Sequence, residues 1–328
     1  MRAAVLSAFD SPVRLTDVPP PVAGPGEVVL DVAVCGVGLT LERARTGALG
    51  GSTPRVVGHE IGGTVAALGP GVTGWAVGDR VTTSFYLVCG RCRWCAGGRE
   101  TLCDNWGGFI GVHVDGGLAE QVALPAHGLV QVPDEVALDD AAIAADAIAT
   151  PYHVLTARAP VRAGRTVAVI GAGGGVGIHV AGVARAFGAT VIGIETDPTK
   201  AAGLQSHCDE VREEAGDLRA DVVVDTVASR ASLTAAVGAA AKGGTVVVVG
   251  FQGGVTVELD PTPLVLEEVT ITGSRYASRA DLMATLDLVA RRRVTPVIGA
   301  RFPLSDVEGA YRAVQDNAVL GRIVVDIA

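Results

Sequence analysis

Four cysteines stand close together in a chain that has only six. They follow a C-x2-C-x2-C-x7-C pattern in a short loop with several glycines, at Cys89, Cys92, Cys95 and Cys103. Four thiolates at this spacing can close a tetrahedron around Zn²⁺ without leaving a position open for a substrate. The pattern therefore predicts one structural zinc per chain, which holds the loop in place. An iron–sulfur cluster is a less favoured alternative, and free thiols or disulfides are disfavoured.

A second group that could bind a ligand is a glycine-rich turn. The segment VAVIGAGGGVG predicts a strand, a tight turn and the start of a helix. Backbone N–H groups in such a turn can approach a pyrophosphate at the helix N-terminus. The residues of this predicted dinucleotide site are Gly171, Gly173, Gly174, Gly175, Val176 and Gly177.

The next predicted strand, ATVIGIE, ends in the acidic residue Glu195. A carboxylate at this position can accept hydrogen bonds from the ribose hydroxyls and would repel a 2′-phosphate. The sequence therefore predicts NAD(H) in preference to NADP(H). A surface carboxylate without this role is the alternative interpretation.

The elements that must position these groups are of two kinds. As far as about residue 150, alternating apolar residues and frequent glycine and proline predict short strands joined by loops. From about Pro151, continuous apolar strands alternate with helices, as in a parallel sheet that is covered on both faces. Beyond Gly273 an amphipathic helix and a closing strand, GRIVVDIA, follow.

This order predicts an α/β protein in which a doubly wound Rossmann domain is inserted into a β-rich domain. We place the β-rich domain at 1–147 and 275–328, and the coenzyme domain at 148–274. The four-cysteine lobe spans about 86–104.

The composition restricts the classes of partner. The formal net charge of the 328 residues is -9, and no basic face is indicated that could displace counterions from a nucleic acid. The longest apolar run, TVVVVGF, is too short to span a bilayer, and no signal peptide is visible. We expect a cytoplasmic protein that acts on a small molecule, with no nucleic-acid and no membrane partner.

The order of the motifs resembles that of the medium-chain dehydrogenase/reductase superfamily, and within it the zinc-containing alcohol dehydrogenase branch. The resemblance runs the whole length of the chain, through GHE (58–60), GDRV (78–81), the four-cysteine lobe, DGGLAEQVALP, the coenzyme glycines and GRIVV. It implies a GroES-like catalytic domain beside the Rossmann domain, hydride transfer at a nicotinamide, and a homodimer or homotetramer. It also implies that Arg322 contacts the coenzyme pyrophosphate.

The chain departs from this resemblance at the family's catalytic zinc. One ligand cysteine of the family aligns with Gly38, and the last one aligns with Asp146. His59 and Glu60 match the ligand histidine and glutamate, and Thr40 matches the proton-relay hydroxyl. The resemblance therefore implies the backbone of a metal site that has lost both of its thiolates.

Two interpretations of this departure stay open. Softer ligands have been lost without a visible replacement, which favours a reaction centre without metal. Alternatively, His59, Glu60 and Asp146 bind a catalytic zinc through one nitrogen and two oxygens. Cys35 lies nearby in the sequence, but we expect it to be a small buried apolar residue.

Without a Lewis acid, hydride transfer suits an acceptor that is already activated: a conjugated enone, an enoyl thioester or an iminium. Thr40 is then predicted to contact the substrate or relay a proton. Asp146, His59 and Glu60 are predicted to form an acid–base cluster, because neighbouring carboxylates raise at least one pKa.

Two alternatives remain at this site and for the protein as a whole. The cluster could be no more than a satisfied hydrogen-bond network. The protein could also bind a dinucleotide without catalysing a reaction. The other histidines, His179 among them, are expected in loops or on the surface.

Overall fold

The structure is a computed structural model that describes residues 1–327. The strands are β1 (Arg2–Leu6), β2 (Val13–Asp17), β3 (Glu27–Val37), β4 (Arg55–Val56), β5 (Glu60–Leu68), β6 (Arg80–Thr83), β7 (Tyr86–Leu87), β8 (Gly108–Phe109), β9 (Gln121–Pro125), β10 (Leu129–Gln131), β11 (Thr166–Ile170), β12 (Thr190–Ile194), β13 (Glu210–Arg212), β14 (Ala220–Asp225), β15 (Ala240–Val248), β16 (Thr270–Gly273), β17 (Ile298–Pro303) and β18 (Arg322–Asp326). The α-helices are α1 (Leu39–Arg45), α2 (Arg93–Ala96), α3 (Leu138–Ile143), α4 (Ala149–His153), α5 (Gly177–Ala186), α6 (Pro198–Gly203), α7 (Arg230–Gly238), α8 (Thr262–Leu266), α9 (Arg279–Ala290) and α10 (Val307–Gln315).

The continuous apolar strands form a parallel sheet in the order β13-β12-β11-β14-β15-β16. Their valines and isoleucines are buried on both faces, as in Val167 and Val223, because helices cover the sheet. The strand order reverses at β11, so the glycine turn after β11 lies at the edge where open α/β sheets bind ligands. The predicted α/β class and Rossmann-like sheet are confirmed.

The β-rich half is organised around the long strand β3, which pairs antiparallel with β5, β9 and β18. The strand β18 lies between β3 and β17, so the C-terminal part of the chain returns to the sheet of the N-terminal part. A separate sheet has the order β2-β1-β4, and the hairpin of β7 and β8 flanks the four-cysteine lobe.

A helical segment, 138–158, joins the two halves of the molecule. It alternates α-helix with π-helical turns at Ala144–Ile148 and Val154–Arg158. Its apolar residues share one core with the parallel sheet and with Val34 and Val324 of the β-rich sheet. The π-helical turns are common at functional sites, and the first of them contains Asp146.

All strands of the parallel sheet lie within 148–274, and β17 and β18 lie within 275–328. The predicted domain boundaries stay a proposal. Over residues 1–327, no helix has both the length and the apolar character that crossing a membrane requires.

Candidate active site

A cavity of about 530 Å³ lies where the two halves of the molecule meet. One wall is the turn between β11 and α5, and other walls come from α1, the 138–158 segment and the loop after β16. The predicted site residues that line it are Thr40, Asp146, Gly174, Gly175, Val176, Gly177 and Arg322. A cleft at this edge of an open α/β sheet is a usual position for an active site. Predicted residues outside its lining are His59, Glu60, Gly171, Gly173 and Glu195.

The turn after β11 presents bare backbone to the cavity. Gly171 has a φ of +77°, in the left-handed region that favours glycine. A Cβ on Gly177 would overlap the carbonyl of Gly171, so the first residue of α5 has no room for a side chain. The free N–H groups and the positive dipole end of α5 meet at this turn. The geometry therefore fits a pyrophosphate, and the turn would hold NAD(H) through Gly174–Gly177.

The carboxylate of Glu195 is buried directly beside this turn. Its Oε2 accepts a hydrogen bond from the Gly173 N–H at 2.9 Å, and its Oε1 accepts one from the Asp197 N–H at 3.1 Å. These bonds fix the carboxylate at the end of β12 and leave lone pairs that can accept further bonds. The contact with a coenzyme ribose and the preference for NAD(H) stay predictions.

A buried polar cluster lies at the cavity, with Asp146 and Thr150 in the lining. The Nε2 of His59 lies 3.2 Å from Oδ2 of Asp146, and the Thr150 hydroxyl donates to Oδ1 of Asp146 at 2.9 Å. All three side chains are buried. The structure therefore brings together two of the residues that the family resemblance pointed to, and it adds Thr150 one helical turn after Asp146.

The guanidinium of Arg322 completes this cluster. Its Nε donates to Oε2 of Glu60 at 3.0 Å, its Nη2 donates to the other oxygen of Glu60, and Nη2 also lies 3.5 Å from Asp146. A Cβ on Gly38 would overlap this guanidinium, and a Cβ on Gly175 would lie 3.0 Å from it. Arg322 therefore occupies the space of the missing cysteine side chain while it lies against the coenzyme turn. Its predicted pyrophosphate contact remains a prediction.

The three charged groups shift each other's pKa values. Burial raises the pKa of Glu60, and the Arg322 guanidinium opposes that shift. Burial alone would raise the pKa of Asp146, but the His59 hydrogen bond and the Arg322 charge lower it below its usual range. The carboxylate of Glu60 overcomes burial and raises the pKa of Arg322. We infer an ionised Asp146 and a guanidinium that stays charged.

This donor set does not fit a catalytic zinc well. Atoms of His59, Glu60 and Asp146 do converge closely enough to share a metal ion. However, both oxygens of Glu60 and one oxygen of Asp146 already face a guanidinium, and Gly38 supplies no ligand. A second cation at this position would be repelled by the Arg322 charge in a buried environment.

Two hydroxyl groups lie together at the cavity, and the sequence pointed to only one of them. The Tyr276 hydroxyl lies beside that of Thr40, and it is buried without a hydrogen bond of good geometry within residues 1–327. Burial raises the pKa of Tyr276 to about 12, and the Asp146 carboxylate acts in the same direction. Tyr276 has a φ of 49°, which is unusual for a bulky residue and is stabilised only by its surroundings.

An aromatic group forms the far end of the cavity. Trp106 and Phe109 line it, whereas Tyr86 packs against Phe109 with ring centroids 4.7 Å apart and stays behind the wall. The Arg275 guanidinium lies over these rings, 5.3 Å from the centroid of Trp106 and 5.9 Å from that of Phe109. The cavity is therefore polar at the coenzyme turn and aromatic at its other end.

The four-cysteine lobe has the geometry of a closed metal site. The sulfur of Cys92 lies 3.5 Å from that of Cys95 and 3.9 Å from that of Cys103, and Cys89 lies 3.5 Å from Cys103. Zn–S bonds of about 2.3 Å in a tetrahedron place sulfurs roughly 3.8 Å apart, whereas a disulfide would require about 2.05 Å. The N–H of Cys95 lowers the pKa of Cys92 to about 6, whereas burial raises the pKa of Cys95 to about 12. The four sulfurs therefore fit one structural zinc.

Two residues were missed or misplaced by the sequence. Tyr276 has no motif around it, and only the fold brings it to Thr40. His179 was expected in a loop or on the surface, but it is 1% exposed within α5. Its Nδ1 lies 2.6 Å from the carbonyl of Gly175, and its Nε2 accepts from the Val297 N–H at 2.9 Å. That expectation was wrong, because the segment that contains Val297 packs over this position of α5 and donates to the ring. Cys35, in contrast, is fully buried as expected.

Comparison with known proteins shows which families the two halves of the chain match. Residues 24–134 match the family described as "Alcohol dehydrogenase GroES-like domain", and residues 175–291 match the family described as "Zinc-binding dehydrogenase". The chain is 30% identical over 347 residues to an acryloyl-coenzyme A reductase of Metallosphaera sedula, covering 99% of each chain. It is 32% identical over 346 residues to an alcohol dehydrogenase of Geobacillus stearothermophilus, covering 100% of each.

Solved structures with the same fold also match nearly the whole length of the chain. The crystal structure of AibC superposes with a TM-score of 0.92 at 34% identity, over 99% of this chain and 95% of that one. The crystal structure of an NAD-dependent alcohol dehydrogenase superposes with a TM-score of 0.93 at 29% identity, over 100% of each chain. The similarity therefore extends over both halves of the molecule and not over one domain alone.

Proposed function

Since the chain belongs to the zinc-containing medium-chain dehydrogenase/reductase superfamily and is an oxidoreductase, we propose that it reduces the conjugated double bond of a small enoyl thioester with NADH. The observation that carries this proposal is the position of Arg322. A guanidinium cannot accept a lone pair from a substrate oxygen, so it cannot act as a Lewis acid toward an alcohol. A conjugated acceptor needs no such activation before it accepts a hydride.

The relatives support this choice of acceptor. An acryloyl-coenzyme A reductase is similar over the full length of the chain, and the conjugated thioester in its name is one of the activated acceptors predicted from the sequence. The alternative that the protein binds a dinucleotide without turnover is not retained, because the family membership makes the chain an enzyme.

The hydride, which bound NADH supplies, would add to the β-carbon of the thioester. Electron density then moves to the thioester oxygen, and a proton must reach the α-carbon to complete the reduction. The Thr40 and Tyr276 hydroxyls lie together on the cavity wall, and both can donate to an oxygen that gains negative charge. With its pKa raised to about 12, Tyr276 stays protonated at neutral pH and can also donate the proton.

In this proposal Asp146, His59 and Glu60 position groups and do not transfer protons. The carboxylates of Asp146 and Glu60 are held by Arg322, His59 and Thr150, which favours a hydrogen-bond network over an acid–base cluster. Within residues 1–327 the Nδ1 of His59 is buried without a partner. The cluster keeps the Arg322 guanidinium beside the coenzyme turn. It also fixes the part of the cavity wall that contains Thr40.

A second candidate is a zinc-dependent alcohol dehydrogenase with its metal on His59, Glu60 and Asp146. The convergence of their ligand atoms favours it, and so does the similarity to alcohol dehydrogenases. It requires Arg322 to leave Glu60 and Asp146 when the metal binds.

Metal analysis and substrate comparison test the proposal together. We expect about one zinc per chain in extensively dialysed protein, held by the four cysteines. NADH consumption should be fast with acryloyl-CoA or crotonyl-CoA, slow with the corresponding aldehydes, and insensitive to added Zn²⁺. About two zinc ions per chain, together with alcohol oxidation that is stimulated by Zn²⁺ and lost in His59→Ala, would instead establish the second candidate.

A further inference from the structure

A second cavity, of about 290 Å³, opens beside the active-site cavity. Three guanidinium groups line it, those of Arg99, Arg158 and Arg275, together with His153, and no carboxylate is among its lining residues. We refer to these four residues as the arginine groove. The Nδ1 of His153 lies 2.8 Å from Oδ2 of Asp281, so the positive charge of the groove comes from the three arginines. Ser274 and Arg275 line both cavities, so the groove continues into the active site.

The three guanidinium groups are held in place by neutral partners. Arg158 donates from Nε to the carbonyl of Gly273 at 2.9 Å. Arg99 lies over the Trp94 ring, 5.0 Å from its centroid, and Arg275 lies over the aromatic end of the active-site cavity. Within residues 1–327 none of the three forms an ion pair with a carboxylate.

The chain has 35 acidic and 26 basic residues, so acidic groups are in excess, although many of its arginines form no ion pair within residues 1–327. What distinguishes Arg99, Arg158 and Arg275 is that all three line one cavity. Three unpaired guanidinium groups around one cavity create a positive potential that attracts an anion. Planar guanidinium groups match phosphate oxygens with paired N–H donors.

The junction between the two cavities carries a further sign of a ligand. The Ser274 hydroxyl is buried and has no hydrogen-bond partner within the described residues. Buried hydroxyl groups are normally satisfied, so this one is available to a polar group that passes from one cavity to the other. An amide in a flexible arm is a suitable partner.

We propose that the arginine groove binds the phosphate groups of coenzyme A while the acyl end of the thioester lies in the active-site cavity. The inference rests on the proposed function and adds the carrier to which the acyl group is attached. The pantetheine arm passes Ser274, and Arg275 contacts both ends of the ligand site. The groove thus supplies affinity for the carrier, and the active-site cavity supplies the chemistry.

The test compares two thioesters in the Arg99→Gln variant. Acryloyl-CoA carries phosphates, and the N-acetylcysteamine thioester of acrylate does not. We expect the variant to raise the KM for acryloyl-CoA roughly fivefold to tenfold, with little change in kcat, because a charged contact to phosphate is lost. The KM for the N-acetylcysteamine thioester should not change. Arg91→Gln removes the same charge from the same lobe outside the groove and serves as the matched control.

Salt and a phosphate-bearing fragment extend the test. Added NaCl should raise the KM for acryloyl-CoA only, because salt screens the guanidinium groups. Adenosine 3′,5′-bisphosphate should bind the enzyme saturated with NADH, with an affinity that falls in Arg99→Gln and not in Arg91→Gln.

The two proposals can fail separately. If neither thioester is reduced, the proposed function fails, while bisphosphate binding that depends on Arg99 still supports an anion site in the groove. If both thioesters are reduced and Arg99→Gln changes neither the KM for acryloyl-CoA nor the bisphosphate affinity, the groove proposal is overturned. An equal rise in KM for both thioesters would also overturn it.

Discussion

The four-cysteine lobe and the Arg322 cluster, which consists of His59, Glu60, Asp146, Thr150 and Arg322, both concentrate negatively charged groups that need a cation nearby. The two regions obtain that cation in different ways. In the lobe, the sulfurs of four cysteines lie within 4.8 Å of one another, and three of their separations, 3.5–3.9 Å, match a tetrahedral zinc. In the cluster, Glu60 and Asp146 face a guanidinium that belongs to the chain itself. The ligand residues alone do not decide whether a site takes a metal; a neighbouring side chain can supply the charge.

The largest expected effect comes from removing the cation of the cluster. Arg322→Met leaves buried Glu60 without its partner and Asp146 with only His59 and Thr150, so we expect a loss of about 3–5 kcal/mol in the free energy of unfolding at neutral pH. Chemical denaturation measures this loss. Arg291→Met is the control: its pair with Asp287 is exposed, and we expect a loss below about 1 kcal/mol. Similar losses in the two variants would mean that another cation, such as a metal ion, holds the carboxylates.

The next effect concerns the protonation of His179, on which the Arg322 charge acts. Burial lowers the pKa of His179 to about 4, and the Arg322 charge acts in the same direction. Because the folded pKa lies below the unfolded value of 6.5, the contribution of neutral His179 to stability is present above pH 6.5. It is lost as the pH falls from 6.5 toward 4. The expected loss is roughly 2–3 kcal/mol by pH 4.5.

A double difference isolates this effect from other acid-sensitive groups. The free energies of unfolding of the wild type and of His179→Gln are measured at pH 7 and at pH 4.5. The destabilisation caused by the substitution should shrink by that same amount at the lower pH. A destabilisation that is equal at both pH values would contradict the assignment of a neutral, doubly bonded His179.

A smaller effect is expected on catalysis. If the cluster provides no Lewis acid, the hydroxyl groups must stabilise the charge that develops on the thioester oxygen. We expect Tyr276→Phe to lower kcat about 100-fold with little change in KM, as is typical of a lost oxyanion donor. Tyr152→Phe is a control, since Tyr152 packs against Phe187 and does not line the cavity. A decrease below about threefold would indicate that another group, a metal ion included, carries the charge.

The smallest effect concerns the network that keeps Asp146 ionised. Thr150→Val removes a buried hydrogen bond of 2.9 Å to the Asp146 carboxylate. We expect a loss of about 1.5–2 kcal/mol in the free energy of unfolding, because the acceptor is charged. Thr156→Val in the same helical segment removes a bond to the Tyr152 carbonyl and should cost less than about 1 kcal/mol. If both substitutions cost the same, Asp146 does not depend on Thr150 for its charge.

The two regions also differ in how far sequence could predict them. The lobe lies within fifteen residues, so local spacing was enough to predict its ligand set. The coenzyme turn is equally local, because a strand, its glycines and a helix start follow one another. The cluster is built from Gly38, Glu60, Asp146 and Arg322, which four separate elements bring together. Family resemblance pointed to all four residues, but it assigned Arg322 to the coenzyme pyrophosphate, and nothing local indicated that Arg322 would occupy the space above Gly38.

Tyr276 and His179 were missed for a related physical reason. The position of Tyr276 depends on the loop after β16, whose left-handed backbone at this residue no turn motif predicts. The burial of His179 depends on a distant segment, that of Val297, and the neighbouring Ile178, Val180 and Ala181 give little contrast between the faces of α5. Periodicity is informative only where polar and apolar faces differ.

The position of β18 has a consequence for the order of assembly during synthesis. This strand, which begins with Arg322, is inserted between β3 and β17, and it pairs Ile323 with Val37. A ribosome therefore completes the whole nucleotide-binding unit before it makes β18, the third partner of β3 beside β5 and β9. Until then, Glu60 and Asp146 have no guanidinium to neutralise them. In the unfinished chain the carboxylates of Glu60 and Asp146 must therefore stay hydrated. Water leaves the site only when β18 pairs with β3.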